Sequence, residues 1–190
     1  MPTLDAGFDI DDPPALVDDR LKALYRYWCE LGQAAGGLPS VQSLDPLQLP
    51  RMLSSMWIVE VAQDTHRFRM RLAGEDINAI YGRNVGGHYF ADLFQPADLP
   101  TIVTRYTRAL REPAVFHATG AVYAAAGRMV EGERLGLPML GRSGISDTML
   151  GATVYGGRID RQTPWRVTHD IAHFHSIRAA NHQPPEIAGA

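Results

Sequence analysis

A single cysteine, Cys29, stands among 190 residues. That excludes an internal disulfide framework and any metal site built from several thiolates. Basic residues are outnumbered by acidic ones: Lys and Arg total 18 against 21 Asp and Glu, for a net charge of -3. No basic run appears, so the electrostatic footprint of a nucleic-acid binder is missing. No apolar stretch approaches the ~20 residues of a membrane span. The opening residues are acidic, with Asp5, Asp9, Asp11 and Asp12, the opposite of a secretory leader. No internal repeat is visible. The expectation is a cytoplasmic protein with one domain and short extensions.

What is present is strong local patterning. Residues 1–12 read as an acidic tail. Asp12 before Pro13-Pro14 is a helix start, and Val17, Leu21, Leu24, Trp28 and Leu31 form a two-heptad seam over a predicted helix at 15–35. Gly36-Gly37 ends it. A proline-rich connector follows, then two alternating runs around Thr65-His66 that predict a hairpin over 56–73. The register pairs Val61 with Met70, Val59 with Leu72 and Glu60 with Arg71. Short helices are expected at 75–81 and 88–94, and a longer amphipathic one at 98–111. Three strands are expected at 114–123, 129–139 and 145–155, with turns at Gly127 and at Gly141 with Gly144. Thr163-Pro164 opens a predicted helix at 165–180, and the chain from Pro184 reads as disordered. This order is α+β, with helices on one face of an antiparallel sheet.

Several segments, in order, resemble a bacterial family of stand-alone PAS domain proteins. They are Leu38-Pro39-Ser40 with Asp45-Pro46, Phe68 to Gly74, Tyr81-Gly82-Arg83-Asn84 with Gly86, Glu133 ahead of Leu137-Pro138, and Met149 to Ala152. The resemblance spans residues 38–156. It implies a PAS-like five-stranded antiparallel sheet whose inner face meets the helices around a small cavity. It also implies sensing, ligand binding or protein association rather than catalysis. The chain divides accordingly into a tail and helix (1–37), a PAS-like domain (38–156) and a partly helical extension (157–190).

Ligand-binding candidates come from separate elements: Trp57, Val59, Met70 and Leu72 of the hairpin, Tyr81, Phe90, Tyr106 and Met139, and either Phe116 or His117. Glu133 alternates with Leu135, Leu137 and Met139. It stands at the cavity wall if that face is inner, and otherwise satisfies a neighbouring strand or sits at an exposed end. The lining suits a small apolar ligand held by one or two hydrogen bonds, or simply fills the core. Tyr81-Gly82-Arg83-Asn84 resembles the start of a flavin-binding motif, but Val85 stands where the reactive cysteine would follow, which excludes a flavin-cysteine adduct. An axial haem ligand would have to be His88 or His117, and haem is disfavoured. His169 and His173 are four apart, as on a zinc-protease helix, with His175 and His182 nearby. Asp170 replaces the glutamate that chemistry needs, so no metal is expected. The expected function is a regulatory module that is not an enzyme, acts through a protein partner and forms a homodimer. A structural dimerisation module and an enzyme with a buried carboxylate in a cone-shaped fold are the alternatives.

Overall fold

The structure is a computed structural model and describes residues 7–125, 128–156, 166–167 and 171–188. Among these, strands β1 (Phe8–Ile10), β2 (Met56–Val61), β3 (Phe68–Ala73), β4 (Ala114–Ala125), β5 (Arg128–Met139), β6 (Thr148–Tyr155), β7 (Arg166–Val167) and β8 (Ile171–Ala179) form one sheet. The helices are α1 (Asp19–Ala35), α2 (Glu75–Tyr81), α3 (Phe90–Leu93) and α4 (Leu99–Arg111). The sheet order is β1-β8-β4-β5-β6-β2-β3, with β7 also on β4, and every pair is antiparallel. The five expected strands are the contiguous block β4-β5-β6-β2-β3.

Two corrections extend that block. The described part of the segment expected to be a histidine-bearing helix is strand β8; His169 lies outside the described residues, as does the turn at Gly127. β8 alternates: Ala172 and Phe174 join one apolar cluster, while Ile177 and Ala179 join the other. β4 has an open backbone edge, and a period-2 segment satisfies it better than a helix can. His173 and His175 therefore lie two apart on one strand face, which removes the zinc-helix geometry. Part of the acidic tail is ordered too, as β1 on β8, with Arg178 Nη2 2.6 Å from Asp9 and 3.0 Å from Asp11. The end expected to be disordered is folded in, with Pro185 and Ile187 buried and Ala188 N donating to His66 O at 2.7 Å.

Helices cover both faces of the sheet, not one. α2, α3 and α4 pack on the inner face; α1 packs on the outer face. Leu21, Leu24 and Trp28 of α1 are fully buried against Leu135, Leu137, Met139, Leu150 and Val154. Trp28 also donates from Nε1 to Pro138 O at 3.1 Å, and Phe8 meets its ring edge-on at 5.2 Å. The seam is thus spent on the sheet. Its first member drops out, since Val17 is 77% exposed and the helix begins at Asp19, not near Pro14. The reason is nonlocal. Glu133 accepts from the amides of Val17 (2.9 Å) and Asp18 (2.8 Å), pinning this stretch before the helix. Asp18 then caps the helix by accepting from Arg20 N at 2.8 Å.

The hairpin register also differs. Val61 pairs with Phe68, Glu60 with Arg69 and Val59 with Met70, two residues from the expected register, and a bulge opposite Ile58 and Val59 then pairs Ile58 with Leu72. Glu60 accordingly bonds Arg69 at 2.6 Å and meets Arg71 only at 3.8 Å. One extra residue on β3 flips Leu72 to the outer face. On the inner face, Gly136 and Gly151 lie directly beneath the rings of Phe116 and Trp57, where a Cβ would overlap those rings. Gly151→Val is expected to overpack this layer and cost about 1–3 kcal/mol, read as a lowered urea midpoint at unchanged slope.

Candidate inner-face cavity

The inner core is a web of rings. Tyr106 on α4 is its hub, with centroids 5.8 Å from Trp57, 5.7 Å from Phe68, 5.1 Å from Phe90 and 5.8 Å from Phe116. Beside Tyr106 this packing leaves a cavity of about 40 Å³. β2 and β3 contribute Trp57 and Met70 to its wall; α2 contributes Ile77 and Tyr81; α4 contributes Ile102, Arg105 and Tyr106. The remaining wall is Phe94, Phe116 and Tyr123, with Arg134 and Thr153 on the central strands β5 and β6.

Its polar groups are organised around Thr153. The Thr153 hydroxyl accepts from Trp57 Nε1 at 3.1 Å and from Arg134 Nε at 3.2 Å, while Arg134 Nη2 donates to Val122 O at 3.1 Å. Arg134 is only 5% exposed. Its guanidinium lies 5.7 Å from the Tyr123 centroid, and that of Arg105 lies 5.6 Å from Phe116. Both positions are of cation–π type. Burial pushes the Tyr81 phenol far above its usual range; neighbouring Tyr123 and Tyr106 add to this and Arg134 opposes it. Tyr81 therefore presents a neutral hydroxyl at any physiological pH.

Of the sequence-predicted binding residues, Trp57, Met70, Tyr81, Tyr106 and Phe116 line this cavity. Phe90 is buried in the same cluster, as is Val59, but Phe90 lines a neighbouring apolar groove of about 250 Å³ with Phe68, Leu99 and Val103. Four residues are elsewhere. Leu72 is 46% exposed on the outer face, and Met139 is buried under α1. Glu133 and His117 face α1 as well, with His117 Nε2 2.8 Å from Glu133 Oε1 and both residues 6% exposed. The Phe116/His117 choice thus resolves to Phe116 inside. The apolar alternation of β5 faces α1, which leaves Arg134, Gly136 and Pro138 for the inner side. Arg105, Tyr123, Arg134 and Thr153 line the cavity without having been expected there; for Arg134 the reason is that Met139, on the opposite face of β5, was expected inside. The signal available was Arg134 itself, a charge standing directly before the apolar alternation of Leu135, Leu137 and Met139.

Val85, at the position after Tyr81-Gly82-Arg83-Asn84, is fully buried in the inner cluster, and its amide donates to Asn78 Oδ1 at 3.0 Å. Gly82 ends α2 with φ 64°, the left-handed cap expected of it. His88 lies near Arg83 (3.3 Å) and Gly86 O (3.4 Å), in the loop after α2 and outside the cavity wall. Among the described residues no group of three or more His, Cys, Asp or Glu side chains is placed to hold a metal ion, and no helix is long and apolar enough to cross a membrane. A wider hollow of about 700 Å³ opens beside β2 and β3, lined by Glu60, Arg69, Arg71, Arg142 and Asp147. The Glu60–Arg69 pair lies on its wall.

A single antiparallel sheet with short helices closing a small cavity against its inner face is a defined α+β class. The chain belongs to the PAS domain family: the family model PAS_5, described as a PAS domain, matches residues 18–154. That range takes in α1 with the five-strand block. No curated protein matches the chain. One similar solved structure is that of the Rhodobacter sphaeroides LOV protein, with 16% identity and a TM-score of 0.41, covering 57% of this chain and 62% of that chain.

Proposed function

We propose that this PAS domain is a regulatory module whose inner cavity senses a small molecule and reports its state to a protein partner, and that it binds rather than catalyses. The observation that carries this reading is the cavity beside Tyr106. It holds more than the roughly 10–15 Å³ a single water needs, and it combines ring surfaces with fixed donors at Arg134, Thr153 and Tyr81. A route to the outer surface is supported by adjacent residues of β5. Arg134 faces the cavity while Glu133, one residue earlier, holds Val17 and Asp18 ahead of α1. A shift of β5 under Arg134 is then felt at the start of α1.

The test is native mass spectrometry of protein purified from cells, before and after denaturation. A mass difference that vanishes on unfolding is expected; equal masses would leave a purely structural module. Tyr106→Ala removes the hub ring and should destabilise the domain by about 3–5 kcal/mol. It should also lower retention of the copurified molecule and speed amide exchange at Val17 and Asp18. Exchange changes confined to the inner face would reject the β5 route.

A further inference from the structure

We propose that the seat of residues 183–188 is a docking site for an extended, proline-containing segment of a partner protein, and that the chain's own tail is its displaceable occupant. This goes beyond the sensing reading above and needs no ligand in the cavity. Gln183, Pro184, Pro185, Glu186, Ile187 and Ala188 belong to no helix or strand. They nevertheless alternate like a bound peptide: Pro185 and Ile187 are buried, while Pro184, Glu186 and Ala188 are exposed. Ile187 joins the inner cluster that contains Tyr106. The backbone is held at each end of the stretch. Ser146 N, in the loop after β5, donates to Gln183 O at 2.9 Å, and Ala188 N donates to His66 O, in the β2–β3 turn, at 2.7 Å. Just before it, His182 Nε2 donates to Leu110 O of α4 at 2.8 Å. The two prolines between the ends are preset to an extended φ and have no N–H to satisfy. The middle of the segment is therefore recognised through side chains. Main-chain bonds with pockets for alternate side chains are how folded domains take up extended peptides. Two features make the seat larger than its present occupant. Ala188 stands on the wall of the apolar groove of about 250 Å³, with Phe68, Phe90, Leu99 and Val103 beyond it. The Ser146 hydroxyl, on the residue that makes the first backbone bond, is fully buried and has no hydrogen-bond partner among the described residues. A partner segment with one further apolar residue and a polar group near Ser146 would make contacts the tail leaves unmade. A short stretch outside the sheet ladder is also among the first to open locally, which lets such a segment in.

The experiment is fluorescence polarisation of a labelled synthetic peptide of residues 182–188 with the full chain, as wild type, as Ile187→Asp and as Ala188→Pro. Ile187→Asp takes the apolar anchor from the tail, and Ala188→Pro takes the N–H that His66 O accepts. Circular dichroism checks that each variant is folded. Both variants are expected to bind the peptide with a Kd of about 100 µM. The wild type should bind it about tenfold more weakly, because its tethered tail competes at an effective concentration of about 1 mM. The same peptide carrying Ile187→Asp should bind none of the three. Equal affinity for wild type and variants, or binding that survives the Ile187→Asp change in the peptide, would put the peptide elsewhere and overturn the proposal. No binding to a folded variant would overturn it as well. Loss of fold in both variants would make the tail a structural part that no partner displaces. A wild-type dimer that both variants turn into monomer would seat the tail of a second copy there instead of a partner. None of these outcomes alters the native mass measurement, which tests the sensing reading by itself.

Discussion

Deletion of residues 1–36 is expected to leave a protein without a cooperative unfolding transition. The segment carries α1, and α1 is the outer cover of the central strands. Leu21, Leu24 and Trp28 are fully buried there, and burying each such side chain contributes roughly 1.5–3 kcal/mol. Together they approach the whole stability of an ordinary domain, about 5–15 kcal/mol. The deletion also uncovers Leu135, Leu137, Met139 and Leu150 on one continuous face, a surface that favours aggregation. Near-ultraviolet circular dichroism and light scattering of the truncated chain would read this directly. A soluble truncated protein with an unchanged melting temperature would mean the outer face does not need its cover.

Glu133→Ala is expected to be strongly destabilising as well. The carboxylate is buried and receives three contacts: the Val17 amide, the Asp18 amide and His117 Nε2. Truncation removes all three acceptor contacts at once while the donors stay in place. Breaking a buried charged network by removing one partner costs about 3–5 kcal/mol, most of it the desolvation of what remains. Glu133→Gln keeps one acceptor and the shape, so it should lose a smaller part, about 1–2 kcal/mol. Urea denaturation of the two variants with His117→Ala, as a double-mutant cycle, separates the His117 contact from the amide contacts. Equal stabilities for wild type and Glu133→Ala would show that the carboxylate holds nothing. The change should also loosen the start of α1, because the two amides that precede the helix lose their shared acceptor.

The five-strand block and the helices between its second and third strands were legible in the residues, because each rests on a local period. Met56–Val61 and Phe68–Ala73 alternate, Leu99–Arg111 repeats at helical spacing, and Gly82 stops α2 in the only backbone conformation that suits its cap. Tyr106 and Trp57 could be placed inside on the same grounds, and Phe116 only as an alternative to His117. Alternation, however, divides a strand into two faces without saying which is which. When helices cover both sides, each face is apolar, and the choice between Glu133 and Arg134, or between His117 and Phe116, belongs to the packing of α1 and α4. One extra residue on β3, Arg71 opposite the Ile58–Val59 step, was enough to turn Leu72 outward, and a bulge has no periodic signature. The spacing of His169 and His173 was compatible with a helix, and only the open edge of β4 made a strand of the segment that follows. Local periodicity therefore determined the elements of the five-strand block and their order, but not β1 or β8. The tertiary structure decided which side chains meet, since burial is a property of the neighbours and not of the strand that carries them.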